Sequence, residues 1–166
     1  MLILGIDPGT ATIGYGLIRA GKKLELVEYG CLKTDPDRTT SQRLKDLADQ
    51  IDELIKRTEP QAMAVEELFF AKNVTTAIKV SQARGVILLA AENHKLKIFE
   101  YTPLQIKQAL TGYGRAEKKQ IQQMVKMILG LKDIPRPDDA ADALACSICC
   151  AHSAPARGYP QLTAKK

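Results

Sequence analysis

The sequence predicts an α/β fold, a mixed five-stranded sheet flanked by helices. Three observations carry that prediction. The early apolar runs are of strand length and follow one another across short turns, which suits antiparallel pairing. The later apolar runs are separated by helix-length segments, which suits parallel strands joined by crossovers. The chain has 166 residues, 45% of them hydrophobic, enough for one domain with one core.

Taken in order, Met1-Leu2-Ile3-Leu4-Gly5-Ile6 is a continuous apolar run that predicts a strand near 2–7 buried on both faces. Asp7 closes it and Pro8-Gly9-Thr10 turns the chain. Strands follow near 12–19 and 24–33, with Ala20-Gly21-Lys22-Lys23 as the turn between them. Asp35-Pro36-Asp37 is a linker into a helix near 40–58. Gln61-Ala62-Met63-Ala64-Val65-Glu66 predicts a strand near 61–66, and a further strand is expected near 96–101. The helix expected at 74–93 is apolar over much of its surface (Ala77, Ile78, Val80, Ala83, Val86, Ile87, Leu88, Leu89), a stripe broad enough for both a core and a subunit interface. Helices are expected near 103–111, 117–130 and 137–152, the last with Pro137 at its first position. The domain therefore spans 1–152, and the Pro-, Gly- and Lys-containing segment 153–166 reads as a disordered basic tail.

Four acidic residues stand out: Asp7, Glu66, Asp139 and Asp142. Two of them end apolar strands, where a carboxylate is costly to bury unless something cationic meets it. Asp7 also fits an Asp-Pro-Gly turn with no chemistry attached. Asp139 and Asp142 open the last helix at a spacing of three, so both can face one point. Asp in a first helical turn is also favoured by the macrodipole, an effect that fades by Asp142. Asp138 and Asp142 share a face equally well, so helix geometry leaves both pairings open. Carboxylates gathered together repel, and hard divalent cations with oxygen ligands relieve the repulsion. Two such ions roughly 4 Å apart suit phosphodiester hydrolysis. The pattern points to Mg²⁺ or Mn²⁺ and phosphate chemistry.

The net charge of +5 is unevenly spread. Residues 72–132 hold eleven Lys or Arg against three Glu, whereas residues 33–67 hold six basic and nine acidic side chains. A basic half beside carboxylate chemistry suits a polyanion, though scattered Lys is also what a solvated helix face looks like. Lys107, Arg115, Lys118 and Lys119 bracket Thr111-Gly112-Tyr113-Gly114, where glycines allow backbone to approach a phosphate and the next helix adds its N-terminus.

Gly5-Ile6-Asp7-Pro8-Gly9-Thr10, Val65-Glu66 with Phe69 and Ala71-Lys72-Asn73, Gln82-Ala83-Arg84-Gly85, Arg115-Ala116-Glu117-Lys118 and Asp139-Ala140-Ala141-Asp142-Ala143-Leu144-Ala145 resemble the RuvC family of Holliday-junction resolvases. The resemblance runs in order from residue 2 to about 150. It implies a ribonuclease H-like fold, a homodimer, and paired symmetric nicks made with Mg²⁺ in four-way junction DNA during recombination and repair. By position it implies that Asp7, Glu66, Asp139 and Asp142 bind the metal and so activate the attacking water. The family pattern selects Asp139 over Asp138 and Glu66 over Glu67, leaving Asp138 as a first-turn residue and Glu67 solvated or supporting. Lys107 and Lys118 match basic positions near the site. Lys72, Arg115 and Lys119 join them as expected DNA contacts. Phe69 matches an aromatic at the DNA-facing loop, suited to wedging between bases, while Phe70 also suits packing. The implied cellular partner is a branch-migration motor such as RuvAB.

No run of 18 or more apolar residues occurs and the N-terminus lacks a signal peptide's basic start, so no membrane association and a cytoplasmic location are expected. Cys146, Cys149, Cys150 and His152 lie along one apolar helix with no second ligand cluster, which reads as buried thiols. Cys31 is a lone strand residue and His94 a helix-end residue with no partner legible in the sequence. Three other readings remain. A sugar-kinase or actin-like ATPase uses Gly-Ile-Asp-x-Gly-Thr but needs two such domains. A ribonuclease H-like nuclease on another nucleic acid would share the acids. A non-catalytic junction-binding dimer would keep the basic loop and lose the carboxylates.

Overall fold

The computed structural model describes residues 1–67 and 74–153. Its elements run β1 (Leu2–Asp7), β2 (Thr12–Ala20), β3 (Leu24–Lys33), α1 (Thr40–Thr58), β4 (Ala62–Glu66), α2 (Val74–Asn93), β5 (Lys97–Tyr101), α3 (Pro103–Thr111), α4 (Lys118–Ile128) and α5 (Asp138–Ser153). The strand order is β3-β2-β1-β4-β5. β1 pairs antiparallel with β2, and β2 with β3. β1 pairs parallel with β4, and β4 with β5. Hairpin-linked strands have become antiparallel neighbours and helix-linked ones parallel, as chain connectivity requires.

The sheet separates two apolar layers. Leu4, Ile6, Leu17, Met63 and Val65 pack against residues of α1 and α2, including Leu47, Ile51 and Ile87. Ile3, Ile18 and Ala64 pack against residues of α3, α4 and α5, including Ile106, Val125, Leu144 and Ile148. Successive residues of β1 and β4 alternate between these layers because strand side chains have period two. Both strands are covered on both faces, which is why they read as unbroken apolar runs.

Helix ends follow local chemistry. Thr39 caps α1 and Thr102 caps α3, each in a reciprocal box with the Gln three residues on, Gln42 and Gln105. α4 begins at Lys118 because Glu117 sits in the extended N-cap position, its amide donating to Gln120 Oε1 at 2.8 Å. α5 begins at Asp138, with the Pro137 carbonyl accepting from the amides of Ala140 and Ala141. His94 has a partner that sequence could not reveal: its Nε2 lies 2.6 Å from Asp52 Oδ1, tying the end of α2 to α1. Cys146, Cys149 and Cys150 are buried free thiols. No helix among the described residues is long and apolar enough to cross a membrane. Phe69, Phe70, Lys72 and the tail beyond Ser153 lie outside the described residues.

Candidate active site

β1 and β4 end side by side. Ile6 pairs with Val65 in the last recorded rung, so Asp7 and Glu66 stand one residue beyond it at the carboxyl ends of neighbouring parallel strands. Ile3 and Ala64 face the layer of α3, α4 and α5. Period two then carries Asp7 and Glu66 to that same face. In open α/β sheets this end of the strands is where ligands bind.

α5 brings the other two carboxylates to them by lying almost on the sheet backbone. A Cβ on Gly5 would overlap the Ala143 carbonyl, and one on Gly14, which pairs with Asp7 across β1 and β2, would overlap the Asp139 carbonyl. The small residues Ala140, Ala141, Ala143 and Ala145 are buried in the same contact. This close approach sets the start of α5, and with it Asp139 and Asp142, against the strand ends.

The electrostatics record the crowding. Burial pushes the Asp7 carboxyl up to about 8, helped by the charges of Glu66, Asp142 and Asp139 and opposed by Lys118. Burial also raises Glu66 to about 7, with Asp142 adding to the shift and Lys107 and Lys118 opposing it. Lys118 Nζ donates to Asp142 Oδ2 at 2.8 Å and lies 3.7 Å from Asp138 Oδ2. That hydrogen bond raises the Lys118 pKa against its partial burial. Glu66, Asp142, Lys107 and Lys118 line a cavity of about 240 Å³ whose apolar wall includes Pro103, Ile106 and Ile121.

The donor chemistry fits a hard divalent cation. The candidate ligands are all carboxylates, and Asp7 and Glu66 hold their protons tightly first because they are buried and then because their acidic neighbours repel the charge, both of which a hard cation relieves. As they stand, no three acidic, His or Cys side chains among the described residues converge closely enough to ligate one ion. One Asp142 oxygen is already bonded to Lys118. Ligating an ion therefore requires the carboxylates to draw together, and Asp142 keeps its other oxygen available for that while Oδ2 holds Lys118.

The remaining sequence expectations fall as follows. Asp139 contributes charge at Asp7, whereas Asp138 is paired with Arg136 at 2.5 Å. Glu67 is exposed, and its amide donates to the Tyr101 carbonyl at 2.8 Å. Arg115 and Lys119 are exposed beside the 111–117 loop, and Lys107 is half-buried at the cavity. In that loop Gly112 serves as the left-handed cap of α3, with φ 71°, a conformation that favours glycine. Sequence reading missed Arg43 of α1, whose Nη2 donates to the Thr10 carbonyl at 2.5 Å and Nε to Thr34 Oγ1 at 3.0 Å, bracing the turn after Asp7. It sits 33 residues from Thr10, and no local pattern links the two.

Residues 3–150 match the family model described as crossover junction endodeoxyribonuclease RuvC. The chain belongs to the RuvC family. It is 56% identical over 154 residues to the crossover junction endodeoxyribonuclease RuvC of Alkaliphilus metalliredigens, covering 92% of this chain and 94% of that one. It is 59% identical to that of Desulfitobacterium hafniense, over 92% of this chain and 93% of the relative. Thermus thermophilus RuvC superposes with a TM-score of 0.85 at 39% identity, covering 92% of this chain and 94% of that structure. T. thermophilus RuvC in complex with Holliday junction substrate superposes with 0.83 at 37% identity, covering 92% and 93%. The mixed sheet and its flanking helices are thus the ribonuclease H-like fold of RuvC proteins. The RuvC match spans the carboxylates and the 103–119 segment and stops short of the tail.

Proposed function

We infer that this chain is an endodeoxyribonuclease that resolves Holliday junctions by paired symmetric nicks in recombination and repair. What supports it is membership in the RuvC family together with the placing of Glu66, Asp139 and Asp142 near enough to Asp7 for their charges to raise its pKa, beside Lys107 and Lys118.

Asp7, Glu66, Asp139 and Asp142 are the residues that would hold Mg²⁺, with Mn²⁺ able to substitute because both are hard ions with oxygen preferences. Bound there, the ion supplies Lewis-acid activation of water and charge stabilisation of the leaving oxygen. The chain's own part begins with protons. Asp7 and Glu66 hold protons more tightly than free carboxylic acids, so both must ionise before they serve as ligands. Lys107 and Lys118 then set positive charge opposite a phosphate entering the cavity, and the apolar wall excludes water around it. Lys118, with three N–H donors, can meet a phosphate oxygen while it holds Asp142. Arg115, Lys119 and Lys72 extend the contact along the backbone, and Phe69 is assigned the wedge that opens the junction centre.

A homodimer suits this substrate, since a two-fold molecule nicks equivalent strands of a four-way junction. α2 is the surface assigned to it. Ile78 and Leu89 are exposed large apolar residues, and Gly85 between them has open space above it, which lets a second helix approach closely. A chromosomal substrate implies cytoplasmic action, alongside a branch-migration motor such as RuvAB.

Cleavage of a labelled four-way junction, beside matched linear duplex and RNA–DNA hybrid, with and without Mg²⁺, tests the reading. Paired, metal-dependent nicks confined to the junction are expected. Cutting of the hybrid alone, or binding without cutting in Mg²⁺, would overturn it.

A further inference from the structure

Arg84 is a mostly buried cation, its side chain 18% exposed, and it lies outside the carboxylate cavity. It projects from α2, the layer on the opposite face of the sheet from α5. Its Nε donates to the Glu66 backbone carbonyl at 3.4 Å, and its Nη2 donates to Glu100 Oε2. Val65 pairs with Glu100 and Glu66 with Tyr101, so one guanidinium spans the carboxyl ends of β4 and β5. A planar fork with donors in fixed directions can make two such contacts at once, whereas an ammonium offers a single point charge.

The Glu66 carbonyl lies at the end of its strand, where ladder hydrogen bonds run out. The next amide, that of Glu67, still bonds the Tyr101 carbonyl. Beyond it the chain passes to α2 at Val74 through the residues that include Phe69 and Lys72. Arg84 therefore grasps the last residue of β4 from the middle of α2, ten residues past the helix start at Val74. It reaches Glu66 through the backbone, while the Glu66 side chain faces the site on the other side of the sheet.

We propose that Arg84 is a positioning residue: by clamping the Glu66 carbonyl and the Glu100 carboxylate, it fixes the end of β4 against α2 and so holds the Glu66 carboxylate in register with Asp7 and Asp142. The inference rests on the resolvase reading for its catalytic readout. It makes the seating of α2, the helix assigned to the dimer contact, part of what shapes the site.

Steady-state cleavage of a four-way junction by Arg84→Ala, Arg84→Lys and Glu100→Ala, each checked for fold and dimer, tests it together with a cleavage-independent measurement of the rise in melting temperature on adding Mg²⁺. A misplaced ligand is expected to lower kcat by roughly 10-fold or more in Arg84→Ala with KM for the junction nearly unchanged. The Mg²⁺-induced rise in melting temperature should shrink, and the Mg²⁺ concentration for half-maximal cleavage should climb. Arg84→Lys should recover the ion pair and stability yet only part of kcat, and Glu100→Ala should keep most of kcat because the carbonyl contact survives. Wild-type kcat and Mg²⁺ response in Arg84→Ala would overturn the proposal. So would full rescue by Lys with Glu100→Ala as impaired as Arg84→Ala, since that pattern belongs to a plain ion pair. If the wild-type protein cuts no junction, the resolvase reading fails, and the Mg²⁺-dependent melting of the variants still reads the role of Arg84.

Discussion

Asp7 carries the largest conflict between folding and chemistry in the molecule. Its carboxyl is pushed up to about 8, first by burial and then by Glu66, Asp142 and Asp139. A folded-state pKa above the 3.8 of a free Asp carboxyl means that, between the two, the folded chain holds a proton which the unfolded chain releases. The sign follows: this stabilising contribution is full below about pH 4 and is lost as the pH rises toward 8. Glu66, raised to about 7, adds in the same direction over a narrower window. In chelator, the melting temperature should therefore fall between pH 5 and 9, and scanning calorimetry across that range checks it. Asp7→Asn should flatten the decline and melt above wild type at pH 8, with each kcal/mol regained appearing as roughly 2–4 °C. The same variant should lose cleavage while still binding junctions in a gel-shift assay; loss of both would mean a folding defect. At limiting Mg²⁺, wild-type cleavage should rise with pH through 7 to 8 and shift to lower pH as Mg²⁺ is increased, because cation and proton compete for the same oxygens.

At the scale of elements, the contact of α5 with β1 and β2 makes the site. Helix and sheet meet through glycines and alanines, so the helix lies closer than larger side chains would allow. Gly14→Ala places a methyl into the backbone carbonyl of Asp139, and neither group is a flexible chain end that can swing away. It should destabilise by about 2–3 kcal/mol, the upper range of overpacking costs, and urea denaturation measures it. Cleavage at a temperature where the variant stays folded should also fall, since Asp139 and Asp142 ride on the displaced helix. A variant as stable and as active as wild type would mean that the contact relaxes freely. The elements themselves were legible, because their periods and turn residues are local. Their contacts were less so: His94–Asp52 and Arg43–Thr10 join residues 42 and 33 positions apart, and nothing in either neighbourhood names the other.

At the scale of the whole molecule, the sheet separates two tasks. One face carries α3, α4 and α5 with the carboxylates, Lys107 and Lys118; the other carries α1 and α2 with an exposed apolar stripe. Leu89 is 61% exposed and Ile78 55% exposed, and at eleven positions apart they lie on one face of α2, where a second copy can cover both. Leu89→Glu should leave the monomer fold intact, shift the molecule to a monomer in analytical ultracentrifugation, and weaken junction binding by removing bivalent contact. A dimer of unchanged affinity would show that α2 is not the interface. The excess of basic residues from Lys72 to Lys132 predicts junction affinity that falls steeply with salt, since each neutralised phosphate releases counterions.

By itself the sequence determined the order and type of the described elements, the ends of β1 and β4 as places for Asp7 and Glu66, and a resemblance to a nuclease family. It could do so because strand period, turn chemistry and motif order are written in consecutive residues. Helix geometry left Asp138 and Asp139 open and the family resemblance favoured Asp139; tertiary structure alone decided that Lys118 spans to Asp142 and that Arg84 grips the Glu66 carbonyl from the far side of the sheet. These depend on distances between residues far apart in the chain, set by how the helices pack on the two faces of the sheet. A one-dimensional pattern does not encode that separation.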